Sequence, residues 1–246
     1  MTKERILERI AGGRTDLVFD LLRLPDWTRV LTEGRVRPLQ WFVYYDDVTG
    51  LRAVLEAGGS LESISLDEEL GNAAFFGHWK TCDFLLAHGA DAKAANPETG
   101  ETPLHNALAK AGRPYYLHVL RLLLAHGADA NARTRPGVET GAFMRDVRTR
   151  GETPLHRATA YGDEAMIRLL LEHGADREAR DVNGDSPLGW ASAHLRPAGI
   201  LALLSFGEHR VSPRAAATQT SDHGCGWGNG MEWKLIGEYL PESVED

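Results

Sequence analysis

Cysteine is scarce, with two in 246 residues, and no run of apolar residues is long enough to span a membrane. Two cysteines without a secretory segment predict a reducing, cytoplasmic setting and no disulfide. The start, Met1-Thr2-Lys3-Glu4-Arg5, is charged and has no apolar core behind it, so no signal peptide is expected. Positive charge is in deficit: 27 Lys and Arg face 35 Asp and Glu, a net charge of −8. Outside one loop there is no basic tract, which argues against nucleic acid as a partner. No glycine-rich phosphate loop follows a strand pattern, and no Ser-His-Asp order stands out. No Cys-x-x-Cys or His-x-x-x-His pair offers a tetrahedral metal site, so neither metal nor cofactor is expected.

What the chain does have is a recurring pattern of helix starts and stops. Gly151-Glu152-Thr153-Pro154-Leu155-His156 opens its clearest instance. Thr153 suits an N-cap, where its hydroxyl meets an unpaired amide of the first turn. Pro154 follows at the first helical position, where a missing N–H costs nothing. A short helix to Tyr161, a break at Gly162 and a second helix with Met166, Ile167, Leu169, Leu170 and Leu171 complete it. Gly174 closes that helix as a left-handed cap. The pattern returns at Thr102-Pro103-Leu104-His105 and, without the histidine, at Ser186-Pro187-Leu188. The closing glycines Gly58, Gly89, Gly127, Gly174 and Gly207 stand 31, 38, 47 and 33 residues apart. The long steps locate two additions: four residues around Gly112-Arg113-Pro114-Tyr115, and fourteen between Asp129 and Thr153.

These motifs, Gly-x-Thr-Pro-Leu-His followed by Leu-Leu-Leu-x-His-Gly-Ala-Asp, resemble ankyrin repeats, whose period is about 33 residues. The resemblance implies an all-α solenoid of helix-turn-helix units joined by short hairpin-like loops. It is clear over residues 66–207 and follows by register over 4–65, where Gly12-Gly13 and Pro38-Leu39 mark degenerate repeats. Six repeats are expected in residues 1–207, the third running from Glu69 to Asp91. Residues 208–246 form a non-repeat tail, expected to dock on the last repeat as its cap.

Three candidate sites follow. The resemblance implies a groove lined by residues one, four and five places after the histidine position. That transfer selects Trp41, Tyr44 and Tyr45, then Asn72, Phe75 and Phe76, then Asn106, Ala109 and Lys110. It continues with Arg157, Ala160 and Tyr161, and ends with Trp190, Ala193 and His194. Seven of the fifteen are aromatic in a chain that is 8% aromatic, so this normally exposed face should bind something or be covered. The second candidate is loop 133–150, which holds five arginines, Glu139 and Asp146. Phe143 and Met144 supply an apolar anchor, and Arg145 and Arg148 supply planar donors for carboxylate or phosphate. The expectation is that Phe143 or Met144 folds over the groove. The third is Asp222-His223-Gly224-Cys225-Gly226, where His223 and Cys225 are the only candidate catalytic pair. A glycine-rich turn accounts for that stretch better.

The implied function is a protein- or peptide-binding module with an acidic partner. The alternative is an enzyme or a receptor for a small anionic ligand, enclosed by groove, loop and tail. The repeat histidines His105 and His156 are expected to be structural, tying neighbouring loops together.

Overall fold

In the computed structural model the structure describes residues 1–32, 36–109, 114–140 and 148–205. These form helices, with one isolated β-bridge between Glu139 and Arg148. The chain divides into two compact units that interleave in sequence. The first holds residues 1–94 and 113–128, the second 95–112 and 129–246.

The first unit begins with α1 (Lys3–Ala11), a 3-10 turn (Thr15–Leu17) and α2 (Val18–Leu21), whose Ile6, Ile10 and Leu21 are buried. A short helix, α3 (Trp27–Thr32), follows, with Val30 and Leu31 inside. The repeat pattern does not announce it. It forms after Pro25-Asp26, and its Trp27 ring lies close to Gly59. Next come α4 (Pro38–Tyr44) and α5 (Val48–Glu56), then α6 (Leu66–Phe76) and α7 (Trp79–Ala87). Helix α4 packs against α1 and α6, and α5 against α2 and α7. Helix α9 (Pro114–Ala125) packs on α7. Leu39, Phe42, Leu51, Val54, Leu70, Leu85, Leu120 and Leu123 are fully buried, each worth about 1.5–3 kcal/mol against exposure.

The third repeat starts a turn earlier than Glu69. Ser65 caps α6 by accepting the Glu68 amide at 3.3 Å, and Asp67, Glu68 and Glu69 fill the first turn. Gly77 ends it at φ 75°, and a Cβ there would stand 2.7 Å from the Tyr115 ring, so both backbone and packing require glycine. Gly58, Gly89, Gly127 and Gly174 likewise have positive φ. Cys82 is fully buried, and burial first of all pushes its thiol up, so it is an inert apolar side chain.

The second unit contains α8 (Pro103–Ala107), α10 (Pro154–Tyr161), α11 (Glu164–Glu172), α12 (Pro187–Ala193) and α13 (Ala198–Leu204). Helix α10 packs between α8 and α12, and α11 against α10 and α13. Each Thr-Pro-Leu-His motif closes a reciprocal cap. The Thr153 amide donates to His156 Nδ1 at 3.1 Å, and the Thr153 hydroxyl lies 2.9 Å from the same nitrogen. With Nδ1 accepting, Nε2 carries the proton and donates to the Asp185 carbonyl at 3.1 Å. His105 repeats this with Thr102 and the Glu152 carbonyl. Burial first, then Arg157, pushes His105 down to about 4, which keeps the required neutral ring. Both histidines are therefore structural ties.

The four residues added around Pro114 do not add to the helical total, since α8 and α9 together are as long as α10 and α11 together. Helix α9 has 12 residues where α7 and α11 have 9, while α8 has only 5. The bulge expected around 112 lies outside the described residues. So does the tail, with its expected docking. Among the described residues, no helix is long and apolar enough to cross a membrane.

Candidate functional site

The aromatic positions of the first unit form a continuous face. Trp41 and Tyr44 lie on α4, Tyr45 is its C-cap, and Phe75 and Phe76 end α6, with the two helices packed side by side. The spacings i, i+3 and i+4 on α4 put Trp41, Tyr44 and Tyr45 on one stripe. Trp41 meets Tyr44 edge-on at 5.5 Å and stacks on Tyr45 at 5.9 Å. Tyr44 meets Tyr45 at 5.0 Å and Phe76 at 5.2 Å, both edge-on. Phe75 meets Phe76 at 5.2 Å, and the His78 ring stacks on Phe76. Edge-on pairs of this kind suit the ring quadrupoles, so the rings support one another. The Tyr45 hydroxyl donates to the Ala11 carbonyl at 2.8 Å, and that of Tyr116 to the Phe75 carbonyl at 2.8 Å. Even so, Tyr44 remains 47% exposed and Tyr45 39%.

The equivalent positions of the second unit behave differently. The transfer placed Arg157 in a solvent-facing groove; it is instead 0% exposed, and Trp190 is 7% exposed. Two acids explain the correction. Arg157 Nη2 lies 2.6 Å from Glu152 Oε1 and 2.8 Å from Glu101 Oε1, while Nη1 donates to the His105 carbonyl at 3.2 Å. Burial alone would raise the Glu152 carboxyl, but Arg157 beside it outweighs this and holds it at about 2. Burial would likewise depress the Arg157 guanidinium, and Glu152 and Glu101 keep it above its ordinary value. Trp190 is drawn inward by its own acid, the indole N–H donating to Asp181 Oδ2 at 3.0 Å, and packs edge-on against His156. Asn106, Tyr161 and His194 are half-buried, and the Tyr161 and His194 rings meet edge-on at 5.1 Å. Burial pushes the Tyr161 hydroxyl up to about 12.

Glu101 and Glu152 were not singled out by the transfer. Their signal was available: each precedes the threonine of a Gly-Glu-Thr-Pro-Leu-His motif, and the arginine follows the second.

The same acids anchor the insertion. The Thr140 hydroxyl donates to Glu101 Oε1 at 2.5 Å, and that of Thr134 to Glu152 Oε2 at 2.7 Å. Above them the two arms pair, with Gly137 N–H on the Thr149 carbonyl and Thr149 N–H on the Val138 carbonyl. Arginines brace this base. Arg133 donates to the Gly151 and Arg180 carbonyls, Arg135 to the Pro97 carbonyl, and Arg148 to the Gly137 carbonyl and Glu139. Arg150 is 9% exposed. Phe143, Met144 and Arg145 lie outside the described residues, and with them the expected fold of the apolar pair over the groove. His223 and Cys225 lie outside them as well.

Among the described residues, no group of three or more His, Cys, Asp and Glu side chains is arranged to hold a metal. A hollow of about 310 Å³ lies between α5 and α7, lined by Arg52, Leu55, Glu56, Asp83, Phe84, Ala87 and His88. None of these is a residue that the sequence selects.

Family models match across much of the chain: ankyrin repeats (many copies) at residues 72–114, ankyrin repeat at 99–135, and ankyrin repeats (3 copies) at 137–213. Among curated proteins, none matches it.

Proposed function

Since the chain belongs to the ankyrin-repeat family, whose repeats are generally protein–protein interaction modules, we propose that it binds a peptide or protein segment through the aromatic face of its first unit. The observation that carries this is the exposure of Tyr44 and Tyr45 beside three further rings, on helices already packed on both sides. Aromatic rings at the centre of an interface supply most of its binding energy, since they bury large area with little loss of side-chain freedom. Arg157 and Trp190 are removed from this role by burial.

A display selection of random peptides against the full chain, with Tyr44→Ser as the counter-selecting variant, tests the proposal. Recovered peptides should bind Tyr44→Ser at least about tenfold more weakly than the natural chain. Peptides that bind both equally, or a selection that recovers none, would contradict it.

A further inference from the structure

The aromatic face stands in a negative field. Residues 37–80, which run from the cap of α4 into α7, hold seven acids and three bases, half the net charge of the chain. On α6, Glu68, Asn72, Phe75 and Phe76 are spaced i, i+4, i+7 and i+8, so an exposed carboxylate shares the stripe that carries the rings. Glu69 beside it is buried, with Gln40 donating at 3.1 Å and Asn72 at 3.3 Å. At the other end, Asp46 and Asp47 follow Tyr45 directly, Asp46 taking the Thr81 hydroxyl and Asp47 capping α5. The three bases are Arg37 at the start of α4, Arg52 on α5 and Lys80, which lies over the Trp79 ring at 5.8 Å.

The rings themselves sit where two helices end. Tyr44 is the last residue of α4 and Phe76 the last of α6, so both helices direct the negative ends of their dipoles toward the rings. Ring faces attract cations through their quadrupole, and guanidinium groups stack on them best. An anion would meet ring faces, helix C-termini and carboxylates, all of the same sign.

We propose that this face takes a basic segment, a peptide with one arginine or lysine side chain over Tyr44 and Trp41 and a second one answered by Glu68 at the other end of the stripe. The proposal rests on the binding role given above to the first unit, and it reverses the acidic partner that the loop arginines suggest. Those arginines that the structure describes are engaged with the carbonyls of the insertion and its neighbours or are buried. An aromatic surface with acids at both ends recognises a cation flanked by apolar side chains. The neutral hydrocarbon stem of one arginine can cover a ring, and a second basic side chain of the same segment can reach Glu68, which lies two helical turns, roughly 11 Å, before Phe75 and Phe76 on α6.

Three dye-labelled peptides of equal length test it, alternating leucine with arginine, glutamine or glutamate, titrated against the full chain by fluorescence anisotropy. The arginine peptide should bind at least about tenfold more tightly than the glutamine peptide, and the glutamate peptide should bind weakest. Tyr44→Leu, which keeps the apolar area and removes the ring, and Glu68→Gln should each weaken the arginine peptide by about threefold or more, with circular dichroism unchanged. Equal affinities for the arginine and glutamine peptides would overturn the proposal. So would an arginine-peptide affinity that neither variant changes, since attraction to the net charge alone would then account for it. If the random selection yields Tyr44-dependent peptides without basic residues, the binding face stands and only its preference for cations falls. If it yields no Tyr44-dependent peptide, both fall.

Discussion

Trp41 and Arg157 hold the same place in the repeat, one residue past the histidine position, yet one lies beside an exposed aromatic face and the other is sealed inside. In the first unit the residues around that place are rings, which satisfy one another through edges and faces and leave area over for solvent. In the second unit the place is taken by a cation, and two carboxylates from successive motifs draw it in. Repeat position therefore decides which way a side chain starts out. The polar partners within reach decide whether it stays at the surface. The first unit leaves Tyr44 and Tyr45 exposed at these positions; the second uses Arg157 there to hold itself and the insertion together.

The largest expected effect lies in the second unit. Arg157→Ala leaves Glu101 and Glu152 buried without their cation and should cost about 3–5 kcal/mol in chemical denaturation. A triple change of Arg157→Met, Glu101→Gln and Glu152→Gln should recover much of that loss, because no buried charge remains. If Arg157→Ala is as stable as the natural chain, the buried triad is not what closes this face.

A smaller effect concerns pH. Asp185 is 4% exposed and one of its carboxylate oxygens has no partner. Burial, and then Asp181, raise its carboxyl to about 6, with Arg150 and Arg180 pulling the other way. Folding thus favours the protonated form, so its contribution to stability is full below about pH 4 and is lost as pH rises through 6. His105 runs the opposite way. Its ring is held down to about 4, so its contribution is full above its ordinary value and is lost as pH falls through 4. The two oppose each other over the same window. Asp185→Asn should remove one side, giving a chain about 1–2 kcal/mol more stable at neutral pH whose stability falls more steeply on acidification. Denaturant midpoints from pH 4 to 7.5 check this; parallel profiles for the two proteins would contradict the assignment.

Thr140→Val removes one hydroxyl from Glu101 and should cost about 1 kcal/mol, with faster proteolysis of the insertion as the sharper readout. The smallest effect on stability belongs to the exposed face. Tyr44→Ser should shift stability by no more than about 0.5–1 kcal/mol while removing binding. A large loss of stability there would make the ring a structural prop and erase the contrast between the units.

Much of the fold was legible because its signals are local. Thr153-Pro154, Ser186-Pro187 and the closing glycines act within a turn of themselves, and each does in space what its chemistry requires in sequence. Helix α3 was not legible, since it has no repeat signature and is held by contacts such as Trp27 against Gly59. The early start of α6 was hidden because Ser65 replaces Thr-Pro with a plain hydroxyl cap. The candidate face was legible only where its residues interact with near neighbours. Trp41, Tyr44 and Tyr45 are adjacent on one helix, so their clustering follows from spacing. Arg157 depends on Glu101, which a helix motif read one repeat at a time does not bring to it.

The central claim is that the first unit, not the second, carries the binding face. Hydrogen–deuterium exchange of the full chain, with and without a peptide recovered by the display selection, tests it most directly. The account predicts new protection at the ends of α4 and α6, around Tyr44–Asp47 and Phe75–His78, with α10 and α12 unchanged. Protection confined to α10 and α12, with α4 and α6 unchanged, would contradict it.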